Sequence, residues 1–228
     1  MLEKFISSLG VTFSDKDLLR QALTHRSYLN ENRSHKLDHN ERLEFLGDAV
    51  LELVVTEYLY YNFSNPEGEL TSWRAALVNG DMLATVAHEI SIEDHLLMSK
   101  GEAKDTGRAR QYILANAMEA IIGALYLDQG YVASAEFITR VLIDAHLQEV
   151  FDKKLFLDPK SHFQECAQEK VGVTPHYKVL SEEGPDHDRR FVVGAFLGDE
   201  VVAKGGGWSK QDAQREAARL ALENKKWL

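Results

Sequence analysis

The chain has 228 residues, 44% of them hydrophobic and 27% charged, so it is long enough for one large or two smaller globular domains. No apolar run approaches the roughly 20 residues that a membrane helix needs, so no membrane-spanning helix is predicted. The N-terminus has no export signal, and the single cysteine, Cys166, rules out an intramolecular disulfide, so we expect a cytoplasmic protein.

The formal net charge of −10 is distributed unevenly along the chain. Residues 1–150 contain 13 Lys and Arg against 23 Asp and Glu, whereas residues 151–228 contain 13 of each kind. One interpretation is an acidic enzyme that avoids polyanions. The other is an acidic part that needs divalent cations before it can approach phosphate, joined to a part that binds RNA. Charge alone does not choose between them.

Apolar residues spaced three and four apart predict that residues 1–150 are wholly helical. The first helix covers residues 2–9, and a capping box with Ser14 as N-cap and Asp17 three residues later opens the second. Asp128-Gln129-Gly130 ends the predicted helix at 111–127. After the second helix, the predicted helices are 41–61, 69–79, 81–90, 111–127 and 131–150, with a loop at 99–110.

The helix at 41–61 has three carboxylates, Glu41, Glu44 and Asp48, at offsets that place them along one face. Like charges at this spacing repel, so the row is either a solvated surface or a metal-binding site. Gly47 costs roughly 1 kcal/mol relative to Ala inside a helix, and a helix keeps such a residue where another backbone comes close. Phe45 is expected from the sequence alone to be a core residue.

The helix at 111–127 has two polar residues, Asn116 and Glu119, among apolar neighbours. A buried glutamate is costly unless it is paired with a cation or bound to a metal, so Glu119 is a candidate functional residue. Hydrolysis of a phosphodiester needs an activated water and a stabilised leaving oxygen. Mg²⁺ supplies both, and it prefers carboxylate ligands such as Glu44 and Asp48, one turn apart on the earlier helix.

The pattern changes after a short predicted linker at residues 151–157. A helix at 159–170 opens with Asp158 as its N-cap and Pro at its first position. Gly205-Gly206-Gly207 leads into a final helix. Between the two helices, strands are predicted at residues 177–181, 191–197 and 201–204. The order helix, three strands, helix predicts a small α+β domain.

A run of twelve residues, Asn40–Leu51, resembles the signature of the ribonuclease III family of double-stranded-RNA endonucleases; it reads Asn-Glu-Arg-Leu-Glu-Phe-Leu-Gly-Asp-Ala-Val-Leu. Thr24-His25-Arg26-Ser27 resembles a run near the start of that family's catalytic domain, and Ile113–Ala120 resembles its second motif. The αβββα order resembles a double-stranded-RNA-binding domain. The resemblance implies three parts: an all-α endonuclease domain at 1–150, a linker at 151–157 and an αβββα RNA-binding domain at 158–228.

The resemblance assigns metal binding to Glu44, Asp48, Asn116 and Glu119, with Asp48 and Glu119 as the catalytic residues. The implied metal is Mg²⁺, with Mn²⁺ as a substitute. Asn116 stands where the family usually has Asp. An amide oxygen still coordinates Mg²⁺ but brings no charge, so we expect weaker metal binding rather than loss of activity.

Further roles are implied only by the resemblance. Glu41 and Glu67 match two supporting acids near the RNA path, although a turn role for Glu67 fits the sequence equally well. Phe45 matches an aromatic residue that inserts into the partner subunit of a homodimer. The implied reaction is Mg²⁺-dependent hydrolysis of double-stranded RNA that leaves 5′-phosphates and short 3′ overhangs, in the processing of ribosomal-RNA precursors and structured messenger RNAs.

In the family's RNA-binding domain, the first helix and the first inter-strand loop contact minor grooves, and the start of the last helix faces phosphates. The residues assigned to RNA binding here are Gln164, His187, Lys204, Ser209 and Lys210. Asp212 opposes this role, and Arg215 together with Lys204 is expected to compensate for it.

Two other functions stay open at this point. The first is a duplex-RNA-binding protein whose catalysis is impaired by Asn116. The second is a helical metal-dependent nucleotide pyrophosphohydrolase, which also places carboxylates three and four apart on helices. The αβββα module argues against the second, because small nucleotides need no duplex-binding domain. A Mg²⁺ titration of cleavage separates the endonuclease from the binding protein.

Overall fold

The structure is a computed structural model that describes residues 2–104, 107–184 and 189–227. The chain divides into two units, the first ending at Phe151 and the second beginning at Asp152. None of the described helices is both long and apolar enough to span a membrane.

The first unit is built from helices, as the apolar spacing predicts. Its α-helices are α1 (Leu2–Leu9), α2 (Lys16–Ala22), α3 (Arg26–Glu31), α4 (Glu41–Asn62), α5 (Glu67–Val78), α6 (Gly80–Glu89), α7 (Arg108–Ile138) and α8 (Asp144–Asp152). Helix α7 breaks at Gly130, whose φ of 79° lies in the left-handed region, so the predicted helix end at this glycine is confirmed. A π-helical turn, Thr139–Ile143, joins α7 to α8, which extends two residues into the predicted linker.

The predicted cap of α2 is wrong, because the N-cap is Asp15 and not Ser14. The Asp15 carboxylate accepts the backbone N–H of Asp17 at 2.9 Å. The carboxylate of Asp128, more than a hundred residues away in sequence, accepts the backbone N–H groups of Ser14 and Asp15, each at 2.7 Å. A long-range acceptor therefore fixes the position of this turn, and a local pattern does not reveal it.

Asn40, the residue immediately before α4, is hydrogen-bonded to the preceding part of the chain. The backbone N–H of Asn40 donates to the carbonyl of Thr24 at 3.0 Å, and its side-chain amide donates to the carbonyl of Ala22 at 3.3 Å. Asn40 is buried and makes no side-chain cap to α4. Its amide therefore orients the entry of α4 relative to α2.

Helices α4 and α7 pack together more extensively than any other pair of elements in the described ranges. A Cβ atom at Gly47 would lie 1.8 Å from the backbone oxygen of Glu119, and a Cβ atom at Gly123 would lie 2.1 Å from the backbone oxygen of Leu43. Both distances are shorter than any side chain tolerates, so only glycine fits at either position. The prediction that Gly47 permits the approach of another backbone is confirmed.

The second unit has the predicted order of elements. It comprises α9 (Pro159–Val171), β1 (His176–Glu183), β2 (Arg190–Leu197), β3 (Glu200–Gly207) and α10 (Lys210–Lys225), with the strands antiparallel in the order β1-β2-β3. Helices and sheet enclose one small core that includes Phe163, Ala195, Leu197 and Ala217. The free Cys166 is buried in this core, as expected. The α+β class and the αβββα order are confirmed.

The glycines before α10 belong to β3, so the strand extends beyond its predicted end at residue 204. A Cβ atom at Gly205 would lie 2.1 Å from the backbone nitrogen of Ala217, and one at Gly207 would lie 2.5 Å from that of Ala213. The glycines let β3 lie directly against the alanine stripe of α10. They are therefore a packing feature of the strand.

We expect Gly47→Ala to destabilise the first unit by about 3 kcal/mol or more, because the added methyl group must push apart two helix backbones. Urea unfolding of the full chain measures this difference. The matched control is Gly68→Ala in α5, where a Cβ atom meets no heavy atom within 4 Å. Removing glycine from an open helix position stabilises by up to about 1 kcal/mol. Equal stability of the two variants would contradict the close helix contact.

Candidate catalytic site and RNA-binding face

The crossing of α4 and α7 brings together the four residues that the sequence assigns to metal binding. Glu44 and Asp48 come from α4, and Asn116 and Glu119 come from α7. Glu44, Asn116 and Glu119 are half-buried, whereas Asp48 is exposed. The side-chain amide of Asn116 donates a hydrogen bond to the Glu44 carboxylate, which connects the two helices directly at the site.

Repulsion between the carboxylates of this cluster makes their ionised forms less favourable. Burial, followed by the charges of Asp48 and Glu44, raises the pKa of the Glu119 carboxyl from its ordinary value of 4.5 to about 7. Burial also raises the pKa of the Glu44 carboxyl, and the charges of Glu41 and Asp48 add to this effect. The hydrogen bond from Asn116 acts in the opposite direction and lowers the pKa of Glu44. A cation placed among these groups would relieve the repulsion.

The donor set fits a hard divalent cation, because three carboxylates and one amide offer oxygen ligands on two rigid helices. In the described ranges, no group of three or more His, Cys, Asp or Glu side chains is already arranged as a metal site. The three carboxylates are close enough to interact electrostatically. They do not converge on one point, because like charges repel. Ion binding therefore requires the carboxylates to turn toward a shared centre.

The two acids that are predicted to support the site lie in different surroundings. Glu41, in the first turn of α4, is exposed; it raises the pKa of Glu44 and lies 3.6 Å from Nη1 of Arg26. Glu67 is the first residue of α5, and its carboxylate accepts a hydrogen bond from the hydroxyl of Thr71 at 3.1 Å. Glu41 thus belongs to the electrostatic surroundings of the cluster, whereas the recorded contact of Glu67 is within its own helix.

The Thr-His-Arg-Ser run fixes the segment that precedes α7. The backbone N–H of His25 donates to the carbonyl of Leu97 at 2.9 Å, and the hydroxyl of Ser27 accepts the N–H of Ser99 at 3.0 Å. Arg26 points its guanidinium toward Glu41. The run therefore holds residues 97–99 in place and places a cation beside the acidic row.

Phe45 is 82% exposed on α4, so its interpretation as a core residue is wrong. It lies on the helix face that turns away from α7. Further exposed apolar side chains on α4 are Leu53, Tyr60 and Tyr61. Large apolar side chains that face solvent together are typical of surfaces that bind another protein.

The predicted RNA-binding residues are distributed over α9, β3 and the start of α10. Gln164 and Lys204 are exposed, and the hydroxyl of Ser209 caps α10 by accepting the N–H of Asp212 at 3.1 Å. Lys210 is not a freely solvated cation, because its Nζ lies 3.0 Å from a carboxylate oxygen of Glu182. His187 lies outside the described residues.

The sequence pattern does not single out Gly123, although it lies inside the apolar helix α7, four residues after Glu119, and the argument made for Gly47 applies to it equally. The resemblance to the Thr-His-Arg-Ser run includes Arg26, but it does not predict the pairing of Arg26 with Glu41, because Glu41 is fifteen positions away across a polar loop.

Comparison with known proteins agrees with both units. The family model described as Ribonuclease-III-like matches residues 15–146, and the double-stranded RNA binding motif matches residues 159–225. The protein named Ribonuclease 3 from Enterococcus faecalis is 45% identical over 216 residues, which cover 94% of this chain and 93% of that protein. Ribonuclease 3 from Borreliella burgdorferi is 43% identical over 223 residues, which cover 97% of this chain and 90% of the relative.

Two solved structures of the nuclease domain of ribonuclease III from Campylobacter jejuni resemble the first unit. They are 43% and 44% identical in sequence, with TM-scores of 0.57 and 0.56. The first match covers 63% of this chain and the second 62%, and each covers 95% of the solved chain. One of these structures concerns flexibility in a region involved in dimer formation of that domain.

The helical domain and the αβββα module together define a nuclease that acts on double-stranded RNA. The chain belongs to the ribonuclease III family, which confirms the resemblance seen in the sequence and identifies it as an endoribonuclease. Nucleases of this family generally depend on a metal.

We expect Glu119→Gln to raise the melting temperature of the metal-free protein at pH 8 by roughly 2–4 °C. A carboxyl whose pKa is raised on folding destabilises the folded state once it loses its proton, so the cost grows from about pH 4.5 to about pH 7 and persists above. The gain should therefore vanish near pH 4. Glu136→Gln, an exposed acid on the same helix, is the control. A gain that does not depend on pH would contradict the prediction.

Proposed function

We propose that the chain hydrolyses double-stranded RNA in a Mg²⁺-dependent reaction at the crossing of α4 and α7, with Mn²⁺ as a substitute metal. Glu44, Asp48, Asn116 and Glu119 would hold the metal. The observation that supports this assignment is the direct backbone contact of the two helices, because it brings four residues with oxygen donors close together where the helices cross. Burial and the charges of Asp48 and Glu44 raise the pKa of Glu119 there to about 7. Mg²⁺ and Mn²⁺ both take such oxygen ligands.

The chemistry divides between the metal and the side chains. Bound divalent ions supply an activated water and stabilise the leaving oxygen of a phosphodiester. Asp48 and Glu119 are the catalytic carboxylates in this proposal. Asp48 is exposed to solvent, whereas Glu119 is half-buried on α7. Asn116 positions the Glu44 carboxylate through its hydrogen bond. Glu41 and Glu67 are supporting acids, with Arg26 partly balancing the charge of Glu41.

The form of the cleavage products depends, in this proposal, on a homodimer in which Phe45 inserts into the partner subunit. The exposure of Phe45 supports such a contact, and the related Campylobacter domain is described in terms of dimer formation. Two copies of the site, each cutting one strand, would leave 5′-phosphates and short 3′ overhangs.

Duplex binding is assigned to residues 158–228 and catalysis to residues 1–150, with residues 151–157 as the linker. Gln164, His187, Lys204, Ser209 and Lys210 are the proposed RNA-binding residues. Natural substrates would be ribosomal-RNA precursors and structured messenger RNAs. The free, buried Cys166 fits a reducing cytoplasm, where such precursors are made.

A duplex-binding protein with impaired catalysis is the second candidate, and one observation favours it. The amide of Asn116 donates to the Glu44 carboxylate, so it competes with a metal for the same oxygen. An aspartate at this position would accept and not donate, and it would add one negative charge to the site.

We expect cleavage of a long RNA duplex by the wild-type chain, with Asn116→Asp shifting the half-saturating Mg²⁺ concentration downward by about three- to ten-fold. Gln111→Glu adds the same charge to an exposed position of α7 and should leave this concentration unchanged. Glu119→Gln should abolish cleavage while duplex binding persists. If the wild-type chain binds duplex but cleaves at no Mg²⁺ concentration, the binding protein is the correct assignment.

We expect Phe45→Ala to weaken self-association by on the order of 100-fold, because removing a large aromatic anchor from the centre of an interface has effects of this size. Analytical ultracentrifugation across protein concentrations measures the change. Val132→Ala, another exposed apolar side chain of the same unit, serves as the control. Wild-type sedimentation of the Phe45 variant would show that this residue does not join two subunits.

A further inference from the structure

Asn40 is a buried polar residue whose side chain does not cap the helix that it precedes. Asparagine is among the residues that most often cap a helix, by accepting an N–H of the first turn. The side chain of Asn40 makes no such bond to α4. Its amide instead donates to the carbonyl of Ala22, the last residue of α2. The last carbonyls of a helix have no partner inside that helix, so Asn40 supplies one from outside.

Further hydrogen bonds join the start of α4 to the residues around the end of α2. The backbone N–H of Asn40 donates to the carbonyl of Thr24 at 3.0 Å. The side-chain amide of Gln21 donates to the carbonyl of His39 at 3.2 Å. Together with the amide bond of Asn40, these contacts fix the first residue of α4 relative to α2.

Helix α2 in turn packs against α7, the helix that carries Asn116 and Glu119. Helix α4 is therefore connected to α7 in two ways, directly where the glycines meet and through α2 at its first residue. The glycine contacts fix the point at which the helices cross, but a single crossing point lets α4 tilt about it. Gly47 lies seven residues after Asn40, which is roughly 10 Å along the helix axis. A second fixed point at that distance limits the tilt.

Glu44 lies between the two fixed points, four residues after Asn40 and three before Gly47. The backbone N–H of Glu44 donates to the carbonyl of Asn40 at 2.9 Å. Asn40 therefore contacts α2 through its amide and Glu44 through its carbonyl. Metal–ligand distances vary by only about 0.2 Å, so a tilt of α4 that moves Glu44 away from α7 would cost metal affinity.

We propose that Asn40 is a positioning residue for the metal site. By joining the first turn of α4 to α2, it fixes the distance of Glu44 from Asn116 and Glu119 on α7. This inference rests on the proposed function, because it takes these side chains as the groups that hold the metal. Asn40 acts through the backbone of Glu44, so its role requires no contact between its own side chain and the metal.

The test measures the Mn²⁺ affinity of the full chain near neutral pH, from the free Mn²⁺ detected by electron paramagnetic resonance. Asn40→Asp keeps the shape of the side chain and its ability to cap α4, but it replaces the amide donor with an acceptor that faces the carbonyl of Ala22. We expect the affinity to fall about ten-fold, as is typical when a residue that orients a metal ligand is changed. The added negative charge by itself favours a cation, so weaker binding would not be an effect of charge.

Two further variants keep the test decisive if the aspartate prevents folding. Asn40→Ser is neutral, and serine caps helices about as well as asparagine does, but its shorter side chain does not reach Ala22. We expect a loss of Mn²⁺ affinity similar to that of Asn40→Asp. Gln21→Ala removes the hydrogen bond to His39 and should weaken Mn²⁺ binding by a smaller factor, about two-fold.

Val55→Ala separates positioning from stability. Val55 is completely buried in α4, about two turns beyond Gly47, so the crossing lies between it and Glu44. Removing its two methyl groups should lower the melting temperature in EDTA by roughly 5 °C and leave the Mn²⁺ affinity unchanged. If the Asn40 variants also lower the melting temperature but bind Mn²⁺ as the wild type does, Asn40 only supports the fold, and the proposal is overturned.

A capping role for Asn40 gives a different result. Aspartate is favourable at a helix N-terminus, so Asn40→Asp would then keep or raise the melting temperature and leave the Mn²⁺ affinity unchanged, which also overturns the proposal. A wild-type chain that binds no Mn²⁺ would refute the metal site of the proposed function itself. Normal wild-type binding, with wild-type affinity in both Asn40 variants, would refute only the role of Asn40.

Discussion

The contact between the backbones of α4 and α7 determines the rest of the catalytic unit. At Gly47 and at Gly123 the space for a side chain is filled by a carbonyl group of the facing helix. Two helices ordinarily pack at 8–10 Å between their axes, with side chains between them. Here the glycines remove those side chains at two points, and the helices meet directly. Glu44 and Glu119 each lie one turn away from one of these glycines, and Glu44 is consequently near enough to raise the pKa of Glu119.

This geometry also explains why the acidic groups stay together despite their repulsion. Helix α7 cannot rotate Glu119 toward solvent, because Met118, Ile121 and Ile122 are completely or almost completely buried on its other sides. Apolar burial stabilises by about 25 cal/mol per Å² and holds the helix in one orientation. Stability from the core thus offsets an electrostatic cost at the site. Proteins commonly accept such a cost where a charged ligand or substrate must bind.

Much of the fold follows from local patterns. The helix at 41–61, the cap at Asp158 and the break at Gly130 depend on neighbours within a few residues, and each could be predicted. The interpretation of Gly47 also needed only its place inside a helix. The cap of α2 depends on Asp128, far away in sequence, so the local box at Ser14 was misleading.

The candidate site could also be predicted only where its signal is local in the sequence. Glu119 stands out because a charge inside an apolar helix needs an explanation. The hydrogen bond between Asn116 and Glu44, the pairing of Lys210 with Glu182 and the exposure of Phe45 result from tertiary structure. The periodicity of a helix shows which residues share a face, but it does not show what that face meets. For Phe45 the pattern alone led to the wrong conclusion, because it does not show that this side chain is exposed.

The two glycines of the helix crossing also lie at short, fixed sequence intervals from the acidic residues of the site. Glu44 lies three residues before Gly47 and Asp48 one after it, while Glu119 lies four residues before Gly123. Each residue inserted into a helix turns everything beyond it by about 100°. A single insertion between a glycine and its acidic neighbour would therefore point the carboxylate away from the crossing, even if every residue type were kept. Over the course of evolution, these short intervals should tolerate changes of composition on their outer surface but no change of length. The loops that join the helices have no such restriction.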